Sequence, residues 1–114
     1  MTRFLTALAA ASAAVLIGQG PALAADAAKG KAMYMQHGCF QCHGTVGQGA
    51  VTGPRLAPDP IPLESFATFL RTTNRAMPPY REAILSNGDL ADIHAYLESI
   101  PKPPDRKNIP ILNP

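Results

Sequence analysis

Cys39-Phe40-Gln41-Cys42-His43 places two thiols three positions apart, with an imidazole directly after the second. C-x-x-C-H is the arrangement of covalent c-type haem attachment. Each thiol can form a thioether to one vinyl group of the porphyrin. The adjoining His43 then lies under the ring, where an imidazole nitrogen ligates iron. Three other chemistries compete for the same residues. A thioredoxin-type C-x-x-C opens a helix in an α/β unit, and no β-alternating segment is visible in this chain. A zinc site needs about four Cys or His ligands, and no second pair follows at ligand spacing. A simple Cys39–Cys42 disulfide leaves His43 without a role. Haem attachment accounts for all three residues together.

With His43 on one side of the iron, the group on the other side decides the chemistry. A strong second ligand suits electron transfer, and an open position suits gas binding, sensing or peroxidase-like catalysis. The candidates are Met33, Met35, His37, Met77 and His94. Met33, Met35 and His37 precede the cysteines on the segment that leads into them, from which the opposite haem face is awkward to reach. Met77 lies well downstream in Met77-Pro78-Pro79-Tyr80, where two prolines stiffen a loop able to point a thioether inward. His94 borders an apolar helix stripe, a position that suits a structural or solvated histidine. His37 shares a helix face with Gly30 and Tyr34 and is expected to contact the segment packed above it. Met77 is therefore the expected ligand. A peroxidase reading lacks a clear acid–base pair beyond His37 and His94.

These groups need elements to hold them. Gly30, Met33, Tyr34 and His37 fall on one face of a helix expected over 27–37, which Gly38 ends. Residues 44–62 are rich in Gly and Pro and poor in large apolar side chains, so they read as a long functional loop. Leu63, Phe66, Ala67 and Leu70 predict a second helix over 63–73, which Pro78 and Pro79 cannot extend. A short helical piece over 81–86 and a main helix over 89–100 are expected next. Leu90, Ile93, Leu97 and Ile100 form the apolar stripe of the main helix, with Tyr96 beside it and Asp92 and Glu98 facing away. Pro101 ends that helix, and the Pro-rich tail 102–114 is expected to run extended over the surface. The fold class is all-α, short helices separated by long loops. Its apolar faces are too few for a self-sufficient core, so the chain without haem is expected to be largely unfolded. A pocket of Leu56, Phe66, Leu70 and Ile84 is expected to favour the less charged, reduced iron.

The 114 residues allow one domain. A formal charge of +2, with 16% charged residues, excludes a dedicated nucleic-acid binder and a chain dominated by a disordered charged tail. The N-terminus carries Arg3, an apolar run over 4–17, a Gly-Pro break and Ala22-Leu23-Ala24. Those are the parts of a secretory signal peptide, with cleavage expected after Ala24. A retained anchor is the alternative, but a spanning helix needs about 20 apolar residues, and this run is shorter and holds Thr6 and Ser12. Export to the periplasm and haem attachment outside the cytoplasm support each other. The expected organisation is a cleaved signal peptide over 1–24, a haem domain over 25–101 and a tail over 102–114, without stable membrane insertion.

Together, the motif at 39–43, Met77-Pro78-Pro79-Tyr80 downstream and a final helix containing Tyr96-Leu97 resemble class I monohaem cytochrome c. The resemblance covers most of residues 27–100, in the same order. It implies a small fold in which the first and last helices cross near a right angle beside one covalently bound haem c per chain. It implies Gly30 and Tyr34 as the small and aromatic crossing positions, against Tyr96 and Leu97. By the same resemblance, Gly53-Pro54-Arg55-Leu56 supplies the Pro54 carbonyl to the His43 N–H, and Arg55 meets a haem propionate. The implied haem-binding set is Cys39, Cys42, His43, Met77, Pro54 and Arg55, with His43 and Met77 on the metal. Two departures stand out: no Trp is available for a propionate contact, and the tail lies outside the usual domain.

The implied function is electron transfer with no catalysis of its own, by a periplasmic carrier cycling between Fe(II) and Fe(III). Its expected partners are a periplasmic dehydrogenase as donor and a terminal oxidase or another cytochrome as acceptor. A dedicated cytochrome subunit of a periplasmic dehydrogenase, docked through the tail, is the alternative, so the state is a monomer or a subunit of a heteromeric complex. A ligand-binding haem protein with an open sixth position is a third reading. Arg55, Arg71, Arg75 and Arg81, set against Asp59 and Glu64, predict a weakly basic surface around the Met77 loop that docks an acidic partner. Solvated charge and propionate pairing explain the same residues equally well.

Overall fold

The computed structural model describes residues 24–113. The expected signal peptide therefore lies outside the described residues, except for Ala24. Four helices follow in order: α1 (Ala27–Gln36), α2 (Cys39–His43), α3 (Leu63–Thr72) and α4 (Asn87–Ser99), with 3-10 turns at Arg106–Asn108 and Pro110–Leu112. Among the described residues there is no strand, only an isolated bridge between Ala50 and Gly53. The fold is all-α.

Local chemistry sets the helix ends. The Asp26 carboxylate accepts the N–H groups of Ala28 at 2.8 Å and Lys29 at 3.0 Å, which caps α1. Gly38, at φ 76°, turns the chain out of α1 and directly into α2. The Ser86 hydroxyl accepts the Asp89 N–H at 3.1 Å and opens α4.

The core lies where α1 packs on α4. Gly30 sits against the α4 backbone so closely that a Cβ there would overlap the Asp92 carbonyl. One turn later, the Tyr34 and Tyr96 rings meet with centroids 5.5 Å apart. Gly30 thus faces Asp92 and Ile93, not the expected Tyr96 and Leu97, while Tyr34 takes the aromatic partner. Leu90, Ile93 and Leu97 of α4 join Phe66 and Leu70 of α3 in the same buried cluster.

Four local expectations are corrected. Residues 81–86 form a turn, not a helix: the N–H groups of Ile84 and Leu85 both bond the Arg81 carbonyl, at 2.9 and 3.0 Å, before Ser86 caps α4. That turn buries Leu85 and leaves Ile84 66% exposed, so Ile84 takes no part in the pocket. Asp92 does not face away. It is 7% exposed, accepts the Asp26 N–H at 2.8 Å and pairs with the Lys29 ammonium at 2.8 Å. Both carboxylate oxygens have partners, which is the condition for a charge on a packed face. The Lys29 ammonium, shared with Asp89 at 2.7 Å, holds both carboxyls below their ordinary range. Finally, the tail is not simply extended, since its last residues close the two 3-10 turns.

Candidate haem site

α2 is a single helical turn set between two glycines, Gly38 and Gly44, both with positive φ (76° and 77°). Five residues between two such bends can only present their side chains locally, and those residues are the C-x-x-C-H motif. Cys39, Cys42 and His43 all line one largely apolar cavity of about 540 Å³. Pro54, Arg55 and Met77 line it too, so all six residues singled out from the sequence meet at one place. Leu56, Phe66 and Leu70 supply apolar wall as expected, and Ile93 of α4 stands in it as well. Cys42 is exposed, whereas burial pushes the Cys39 thiol up to about 11.

His43 is buried, and its Nδ1 lies 2.7 Å from the Pro54 carbonyl. The carbonyl can only accept, so Nδ1–H donates and the Nε2 lone pair is left for a ligand. The loop that brings Pro54 there folds back on itself. The Gly47 carbonyl accepts the N–H groups of Leu56 at 2.8 Å and Ala57 at 2.9 Å, and Gly49 N–H donates to the His43 carbonyl at 2.8 Å. At Gly53 the approach is so close that a Cβ would stand 2.5 Å from the Cys42 carbonyl and 3.0 Å from His43 Nδ1. From the helix crossing, the Tyr34 hydroxyl donates to the Gly44 carbonyl at 2.7 Å and the Tyr96 hydroxyl to the Thr45 carbonyl at 2.9 Å. Burial raises both phenols above their ordinary pKa, which keeps them as donors. These two hydroxyls, which fix the exit from the motif, were not foreseen. The available signal was a pair of buried tyrosines, each of which needs a hydrogen-bond partner.

Met77 is half-buried, on a loop tied down at Tyr80. Tyr80 N–H donates to the Leu70 carbonyl at 2.8 Å, and its hydroxyl donates to the His37 carbonyl at 2.8 Å. The Arg71 guanidinium grips the same residue, donating to the Tyr80 carbonyl at 2.7 Å and to Asn87 Oδ1 at 2.8 Å. Asn87 in turn donates to Glu82 at 2.8 Å. Arg71 is therefore a clamp on the Met77 loop and not a free docking charge. Arg75 and Arg81 are exposed, and Arg55 is exposed at the cavity wall.

The remaining ligand candidates divide cleanly. Met33 and Met35 do not line the cavity. His37 does, with its ring edge-on to Tyr80 at 6.1 Å. His94 is buried elsewhere: its Nε2 lies 2.8 Å from the Ile61 carbonyl, its Nδ1 3.6 Å from Glu98, and its ring 5.5 Å from Phe66. Among the described residues, no group of three His, Cys, Asp or Glu side chains forms a metal cluster of its own.

Two thiols, an oriented imidazole and a thioether around an apolar cavity make a donor set that fits a haem. A small all-α fold carrying that set defines a c-type cytochrome domain. Residues 25–97 match the family described as cytochrome c oxidase, cbb3-type, subunit III, and the chain belongs to that family. No curated protein and no solved structure matches it. The cytochrome c domain implies haem c as cofactor and haem-based electron transfer as function.

Proposed function

We propose that the chain is a periplasmic electron-transfer protein with one haem held by Cys39 and Cys42 thioethers and by His43 and Met77 as axial ligands. The observation that carries this reading is the convergence of those four side chains on one apolar cavity. When bound, haem would supply a one-electron Fe(II)/Fe(III) couple, and His43 and Met77 are the residues that would hold its iron in both states. The Pro54 carbonyl orients His43 and raises its basicity as a ligand. The Tyr80 ties and the Arg71 clamp limit the travel of the Met77 loop. Leu56, Phe66 and Leu70 exclude water from the cavity and favour the less charged state. Arg55 is placed to meet a propionate.

Export is supported by the N-terminal sequence pattern over 1–24. No described helix is long and apolar enough to cross a membrane. The chain has no catalysis of its own in this reading. Its electrons pass between protein partners, a periplasmic dehydrogenase as donor and a terminal oxidase or another cytochrome as acceptor. The matched family, described as an oxidase subunit, favours an oxidase among them. The second reading is a dedicated cytochrome subunit of a larger periplasmic complex, and the tail beyond the matched residues favours it.

Purification of the haem-loaded protein under denaturing conditions tests attachment. Colour that stays with the wild-type chain, and is lost when Cys39→Ser and Cys42→Ser are combined, is expected. Haem that washes out of the wild type would overturn the covalent assignment. A reversible one-electron wave in voltammetry is expected from the same preparation.

A further inference from the structure

The segment after α4 has no part in the haem site, and the family match ends before it, at residue 97. Residues 102–113 are exposed apart from the half-buried Ile109. The segment is nevertheless shaped. Pro101, Pro103, Pro104 and Pro110 fix φ along it. Asp105 accepts the Lys107 N–H at 3.0 Å, and the Asn113 side-chain amide donates to the carbonyls of Arg106 at 2.7 Å and Ile109 at 3.1 Å. These contacts close two consecutive 3-10 turns that hold Ile111, 85% exposed, and Leu112, 49% exposed, out in water. Arg106 and Lys107 stand beside them and make no ion pair among the described residues. At its start, the exposed Lys102 Nζ lies 3.0 Å from the exposed Asp59 carboxylate, and Asp59 lines the haem cavity.

We propose that residues 105–113 are a preformed docking element for a protein that exchanges electrons with this domain, seated in an apolar groove bordered by carboxylates. The proposal rests on the electron-transfer reading. Ile111 and Leu112 are the anchors, and Arg106 and Lys107 select the acidic border by charge complementarity. The prolines, which fix φ, and the local caps remove part of the freedom that a binding segment must lose. Redox encounters bury little surface, under about 1,200 Å². A second contact that starts at the cavity rim turns approach of the haem edge into a nearly intramolecular step. A lipid surface fits less well, because three-residue turns present no amphipathic helix and residues 102–113 contain no aromatic anchor.

The test compares full-length holoproteins: the wild type, Ile111→Asp with Leu112→Asp, and Arg106→Glu with Lys107→Glu. The measurement is the second-order rate at which a periplasmic and membrane extract of the source cells reduces and reoxidises the haem. Reduction by ascorbate reports the intact haem site. Both double variants are expected to lose about tenfold or more in exchange with the extract, as tethered second contacts do, with the ascorbate rate unchanged. Variant rates equal to the wild type in the extract would overturn the docking role alone. Binding of the wild type, but not the variants, to protein-free anionic phospholipid vesicles would overturn it in favour of a membrane surface. A wild type that exchanges no electrons with the extract would overturn the electron-transfer reading and this proposal with it.

Discussion

His43 is positioned by backbone as much as by its own place in the chain. The Pro54 carbonyl fixes its tautomer at 2.7 Å, and Gly53 leaves no space between the Cys42 carbonyl and the ring. Gly53→Ala is therefore expected to push the imidazole off its carbonyl, destabilising the holoprotein by about 1–3 kcal/mol, the usual cost of overpacking. Thermal unfolding of the variant checks this, and an unchanged midpoint would contradict the contact. The C-x-x-C-H residues were legible because their side chains carry the chemistry. The Pro54 carbonyl was reached only through family resemblance, since a backbone acceptor leaves no mark in residue type. Arg71 was read as surface charge because sequence cannot show that Tyr80 and Asn87 return to meet it. Asp92 was placed on the solvent side because helical periodicity has no term for a carboxylate whose partners come from another helix.

Between elements, two connections matter most for the site. The first is the pin of α1 on α4, in which Asp92 and Asp89 share Lys29. Both carboxyls are depressed in the folded state, so their stabilisation is complete above the ordinary value of 3.8 and is lost as pH falls through the lower folded values. Asp92→Asn is expected to unfold at a lower temperature at neutral pH and to show a shallower decline below that value. Unfolding midpoints across acid pH check it. The second connection is the Arg71 clamp on Tyr80. Arg71→Met removes two donors and is expected to cost about 1–3 kcal/mol, with faster carbon monoxide binding to the reduced protein as the Met77 loop loosens. Carbon monoxide kinetics equal to the wild type would show that the loop is held without the clamp. The helices α1, α3 and α4 were legible from their apolar spacing. α2 was not, because five residues between two glycines are too few to show a period. The 81–86 turn differs from the expected helical piece because six residues ahead of the Ser86 cap are too few to show a period, and one turn closed on the Arg81 carbonyl satisfies the same stretch.

At the scale of the molecule, Phe66, Leu70, Leu56 and Ile93 stand around a cavity of about 540 Å³ in a domain of small core. Filling that cavity is expected to be a condition for folding. A chain carrying Cys39→Ala and Cys42→Ala, produced without haem, is expected to lose most helical circular dichroism and its cooperative melt. Full helicity in that chain would show the core to be self-sufficient. Electron transfer through His43 and Met77 turns on whether the Met77 thioether binds the iron opposite His43. Its most direct test is the optical spectrum of the oxidised holoprotein. A weak far-red sulfur-to-iron band, absent in Met77→Ala, is the expected result. A high-spin wild-type spectrum without that band, with ready carbon monoxide binding after reduction, would show an open iron and contradict the account.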